Sequence, residues 1–70
     1  MKYYINKNLI LGTISANQKT VTDFVKEIGI SRPRFYLALN AAYTKPRSRC
    51  ISKIAKQLGI SEVLIWQEDI

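Results

Sequence analysis

The chemistry in this chain is concentrated in guanidinium and ammonium groups. Arg32, Arg34, Lys45, Arg47, Arg49, Lys53 and Lys56 put seven cations between residues 32 and 56, and no carboxylate falls among them. Arginine offers a planar fork of donors that matches phosphate and guanine edges. A stretch of one sign is an electrostatic footprint for a polyanion. Tyr36 and Tyr43 are interleaved in it. A solvated basic face is the plain alternative. The missing acids and the interleaved tyrosines favour nucleic acid over that alternative.

Other chemistry has little to work with. The chain has no histidine and one cysteine. A Cys/His zinc site, an internal disulfide and any histidine-based acid–base or triad chemistry are therefore excluded. The five acids are Asp23, Glu27, Glu62, Glu68 and Asp69. No Gly-rich phosphate loop and no metal-ligand spacing lies between them, so neither an enzyme nor a cofactor is expected. No small-molecule ligand is expected either.

The scaffold that must hold these groups is small: 70 residues with a net charge of +6 and 47% apolar residues make one domain, 1–70, with a core. The longest apolar runs, such as Leu9–Leu11, fall far short of the roughly 20 residues that span a bilayer. Residues 1–8 contain no apolar run of signal-peptide length, so a cytoplasmic location with no membrane partner is expected. A chain this short buries only about 60% of its unfolded surface, and it has no disulfide or zinc to brace it. Self-association is the natural supplement.

The spacing predicts a helix over residues 20–28. Thr20 is its cap, Asp23 stands in the capping-box position, and Gly29 stops it. A second helix runs from Arg32 to Asn40, with Ser31 as cap and Pro33 in the first turn. Phe35, Ala38 and Leu39 turn inward. Arg32, Tyr36, Leu37 and Asn40 turn outward, with Arg34 at the flank. Residues 40–46 form a loop. A helix over 48–58 buries Ile51, Ile54, Ala55 and Leu58 and exposes Arg49, Lys53, Lys56 and Gln57. Ser61 caps a last helix from Glu62 to about Glu68. Near the N-terminus, Ile10 and Ile14 suggest a further helix, while Tyr3-Tyr4-Ile5 also suits a short strand. The expected class is all-α, a compact bundle of four to five short helices. Phe24, Ile28, Ile30, Phe35, Leu39, Ile54 and Leu58 form its core, and Cys50 is a small filler.

Two stretches resemble the Cro-type, lambda-repressor-like helix-turn-helix family of phage repressors and related bacterial regulators. One is Phe24-Val25-Lys26-Glu27-Ile28-Gly29-Ile30-Ser31-Arg32, followed by Phe35. The other is Pro46 and Ile51, then Lys53-Ile54-Ala55-Lys56-Gln57-Leu58-Gly59-Ile60-Ser61. Together they span about residues 20–65, with the helix-turn-helix at about 20–40. This chain has Val25 where the family usually has alanine, Val21 where it often has glutamine, and Ala41 where it usually has glycine. Extra bulk between the two helices is one expected consequence.

The stretch from Ile54 to Ser61 also reads as a first helix and turn. Charge selects between the two, because Glu62, Glu68 and Asp69 after Ser61 would repel phosphate, whereas Arg32 and Arg34 follow Ser31. The resemblance implies that Ser31, Arg32, Pro33, Tyr36, Leu37 and Asn40 meet base edges. Arg32 suits guanine, and Pro33 and Leu37 suit a thymine methyl. Asn40 equally suits a helix cap or a phosphate. Lys19, Thr20, Thr22, Arg34, Tyr43, Lys45, Arg47 and Arg49 are phosphate candidates, the threonines through the N-terminus of their helix. Trp66 either closes the core or joins Val63, Ile65 and Ile70 in a two-fold dimer contact. The apolar breadth of the last helix favours the contact.

The expected function is sequence-specific binding of double-stranded DNA by a homodimer, a Cro-like or short phage-type repressor acting on paired half-sites. The rival expectation is an antitoxin-like or anti-regulator module of the same fold whose target is another protein.

Overall fold

The structure is a computed structural model that describes residues 2–69. In chain order it runs β1 (Lys2–Ile5), α1 (Lys7–Ala16), α2 (Val21–Ile28), α3 (Arg32–Asn40), α4 (Arg49–Leu58), α5 (Glu62–Ile65) and β2 (Trp66–Asp69). None of these helices is long and apolar enough to cross a membrane.

The caps follow from residue type. Thr20 Oγ1 accepts from the Asp23 N–H at 3.2 Å and the Asp23 carboxylate accepts from the Thr20 N–H at 3.4 Å, closing a capping box on α2. Ser31, Ser48 and Ser61 each accept from a backbone N–H in the first turn of α3, α4 and α5. Gly29 takes φ +76° and Gly59 takes φ +70°, the left-handed conformation that a side chain would strain. Beyond each glycine an isoleucine N–H reaches back to the helix, Ile30 to Val25 and Ile60 to Ala55, both at 3.1 Å. The two similar stretches of sequence therefore build two similar corners, α2–α3 and α4–α5.

Every helix turns an apolar stripe to one core. Ile10 and Ile14 of α1, Phe24 and Val25 of α2, Phe35 and Leu39 of α3, and Ile51, Ile54 and Ala55 of α4 are all buried. Phe24 and Phe35 meet edge to face, centroids 5.9 Å apart, and this contact sets the α2–α3 corner. Val25 is accommodated at full burial. Ile28, Ile30 and Leu58, expected in the core, pack on its rim half-buried.

The fold is mostly helical but not all-α. β1 and β2 pair antiparallel, with Ile5 opposite Trp66 and Tyr3 opposite Glu68. Tyr3 and Ile5 turn inward and Lys2 and Tyr4 outward, the period-two pattern of a half-covered strand. On its other edge β1 is bridged to the loop after α3: the Tyr3 N–H donates to the Tyr43 carbonyl at 2.8 Å and the Tyr43 N–H donates to Tyr3 at 2.9 Å. The last helix consequently stops at Ile65 and does not reach Glu68. Trp66 leaves it with an extended backbone, φ −79° and ψ 128°. The backbone groups of β1 need partners, and residues 66–69 supply them, so tertiary pairing overrides a locally helical pattern.

That change overturns part of the expected dimer contact. Ile65 is 0% exposed and belongs to the chain's own core. Trp66 is half-buried against the same core, edge-on to Tyr43 with centroids 5.0 Å apart. Its indole N–H is buried without an acceptor. Ile70 lies outside the described residues. Of the four expected contact residues, Val63 stands free at 82% exposure, joined by Leu64 at 60%.

Candidate nucleic-acid interface

α3 is held by its inner face and by its ends, leaving its outer face open. Phe35 and Leu39 anchor it, and Pro33, Tyr36 and Leu37 stand exposed, Leu37 at 71%. An exposed leucine and proline with arginines on either side can meet a surface that is part apolar and part anionic. Arg32 and Arg34 are exposed at the first turn, and neither is ion-paired among the described residues. Ser31 Oγ accepts from the Arg34 N–H at 3.3 Å, so it caps α3. Its hydroxyl proton remains available to a ligand.

The C-terminal end of α3 is more heavily built than its sequence suggests. Asn40 donates from Nδ2 to the Tyr36 carbonyl at 2.9 Å and accepts from Lys7 Nζ at 2.8 Å. It therefore caps the helix and carries a cation from α1 to the edge of α3. Lys7 is a residue that sequence reasoning missed, because 33 positions separate it from Asn40 and only the fold joins them.

Tyr43 corrects a sequence-based assignment. It was expected at a phosphate, yet its hydroxyl donates to the Ala38 carbonyl at 2.7 Å and its ring is half-buried against Trp66. It closes an otherwise unpaired carbonyl in the last turn of α3. Burial raises the Tyr43 pKa from its usual value, with an opposing effect from a hydrogen bond of the Ser48 side chain and an added one from Cys50. A phenol that gives its proton to Ala38 has none to donate to an outside anion.

The other phosphate candidates divide. Lys45 and Arg47 are exposed on the loop after α3, and Arg49 is exposed at the start of α4. Lys19 is exposed but pairs with Glu27 at 2.7 Å. Such a surface pair contributes at most about 1 kcal/mol and exchanges partners readily. Thr20 spends its acceptor on the capping box, and the Asp23 carboxylate beside it opposes an incoming anion at that helix end. Thr22 is half-buried.

A groove runs along α4, with the Arg34 end of α3 beside one part of it. Its nearer part, about 360 Å³, is lined by Gly29, Ile30, Arg34, Arg49, Cys50 and Lys53. The farther part, about 370 Å³, is lined by Ile28, Lys53, Lys56 and Gln57. Lys53 is common to both. Among the described residues, no carboxylate lines either part. Among the described residues, no group of three or more Cys, Asp or Glu side chains is placed to hold a metal ion.

Comparisons with protein-family models, with curated proteins and with solved structures return no match to this chain.

Proposed function

We propose that this protein is a sequence-specific, double-stranded DNA-binding regulator that places α3 in the major groove. The observation that carries the reading is the outer face of α3. It lies on a corner held by Gly29 and the Phe24–Phe35 contact, with Pro33, Tyr36 and Leu37 exposed and Arg32 and Arg34 exposed beside them. A short helix of this width fits the major groove, and its first-turn residues then face base edges. Arg32 reads guanine, Pro33 and Leu37 contact thymine methyl groups, and Tyr36 contributes its edge or hydroxyl. Lys45 and Arg47 follow on the adjacent loop and neutralise phosphates, and Arg34, Arg49 and the Lys7–Asn40 pair supply further backbone contacts. Two copies occupy half-sites about one helical turn, ~34 Å, apart. Occupancy of a promoter is the mechanism of regulation.

Selection of bound duplexes from a random pool, followed by a salt titration, tests this. An enriched motif and a log–log salt slope near −0.9 per phosphate contacted are expected. No enriched motif, with negligible affinity at low salt, would refute it.

One feature favours a second reading, a protein-binding module. Val63 and Leu64 form an exposed apolar tip with Glu62 beside them, residues that offer a phosphate backbone no cation. A protein binder would show little affinity for DNA at any salt concentration.

A further inference from the structure

The apolar floor of the groove and the tip of α5 are the two surfaces that the DNA reading leaves unexplained. They are complementary. On α4, Arg49, Lys53 and Lys56 fall four and three positions apart and so share one outward stripe about 10 Å long. Arg34 of α3 continues it, and the groove floor beneath is apolar, with half-buried Ile28, Ile30 and Cys50. A phosphate backbone has use for the cations but none for that floor. An acidic segment with apolar side chains has use for both.

This chain carries such a segment. From Gln57 to Ile70 there is no cation, and Glu62, Val63 and Leu64 are exposed together at the start of α5. The tip does not occupy the groove of its own chain: Val63 and Leu64 stand exposed, and Glu62 accepts a hydrogen bond from Ser52 at 2.6 Å, on the flank of α4 away from Cys50 and Gln57. A second copy offers the same tip to it.

We infer that the Glu62–Leu64 tip of one copy docks into the groove between the α2–α3 corner and α4 of a second copy. The inference rests on the self-association in the functional reading above, not on the placement of α3. The two surfaces differ, so the contact is heterologous, head to tail, and each copy keeps one tip and one groove free for the next.

Sedimentation velocity on the full chain tests the contact. Wild type should associate with rising concentration, pass beyond two copies, and weaken several-fold between about 0.05 and 0.5 M salt, as screened charges require. Lys53→Glu, which spoils the groove, and Leu64→Lys, which spoils the tip, should each weaken association at least tenfold while keeping the wild-type circular dichroism spectrum. An equimolar mixture of the two should form a complex that stops at two copies, because Lys53→Glu retains a sound tip and Leu64→Lys a sound groove. A monomeric wild type, a Lys53→Glu variant that associates like wild type, or a mixture that stays monomeric would each overturn the inference. Binding of Leu64→Lys to a duplex with one half-site reports on α3 alone, so the two readings fail separately.

Discussion

Replacing Tyr43 with phenylalanine removes one oxygen and separates two roles for that residue. The hydroxyl donates to the Ala38 carbonyl at 2.7 Å, on a half-buried ring packed edge-on against Trp66. The ring stays in Tyr43→Phe, so the apolar contact and the backbone bridge to Tyr3 survive. A typical hydrogen bond contributes about 0.5–1.5 kcal/mol net, and an acceptor left partly covered adds to the cost. The half-buried site lets water reach the carbonyl in part, so the loss should be about 1–1.5 kcal/mol. For a domain of this size that lowers Tm by about 4–12 °C. Thermal unfolding followed by circular dichroism measures it at neutral pH. The pH dependence supplies an internal check. Burial raises the folded pKa of this phenol. The folded state therefore holds its proton more tightly than the unfolded chain does. The stability that it contributes is complete below the unfolded pKa, about 10, and is lost as pH rises through the folded value. The gap between wild type and Tyr43→Phe should accordingly narrow in alkali. DNA affinity near neutral pH, measured well below Tm, should be nearly unchanged. An unaltered Tm together with a clear loss of DNA affinity would refute the structural role and return Tyr43 to the phosphate contacts.

Arg32→Ala should relax base preference at one position and cost about 1–3 kcal/mol on the preferred site; equal loss on all sequences would make Arg32 a phosphate contact. Lys45→Ala should weaken binding evenly across sequences and reduce the salt slope by about one, and an unchanged slope would remove it from the backbone contacts. Trp66→Ala should destabilise the fold by about 2–4 kcal/mol, less than full core deletion because the ring is half-buried. In that variant urea unfolding should shift, whereas association of the remaining folded protein should not. Loss of association at unchanged stability would put the indole back in an interface.

The helices between Thr20 and Leu58 were legible because their signals are local. A threonine followed by Asp23 closes a box within one turn, Gly29 takes a conformation open to few other residues, and Phe35 with Leu39 marks an inner face by spacing alone. The outward arginines follow from the same arithmetic, since a residue opposite a buried stripe must point away. The sign of the charge needed no structure at all.

The ends of the chain were not legible in this way. Val63, Leu64 and Ile65 continue an apolar run that suits a helix, and a strand of four residues such as Lys2–Ile5 carries little pattern of its own. Whether residues 66–69 wind or extend depends on backbone groups more than 60 positions away in the chain. Tyr43 and Asn40 show the same limit within the site. Composition marks both as polar and available. Their distant partners, Tyr3 for one and Lys7 for the other, fix where each polar group sits and so what remains for a ligand. The residues by themselves determined the helical middle, its corners and its basic charge, since each rests on contacts within a turn or two. Only the tertiary structure decided which polar groups that charge can act beside, because a hydrogen bond between distant residues has no signature until the chain brings them together.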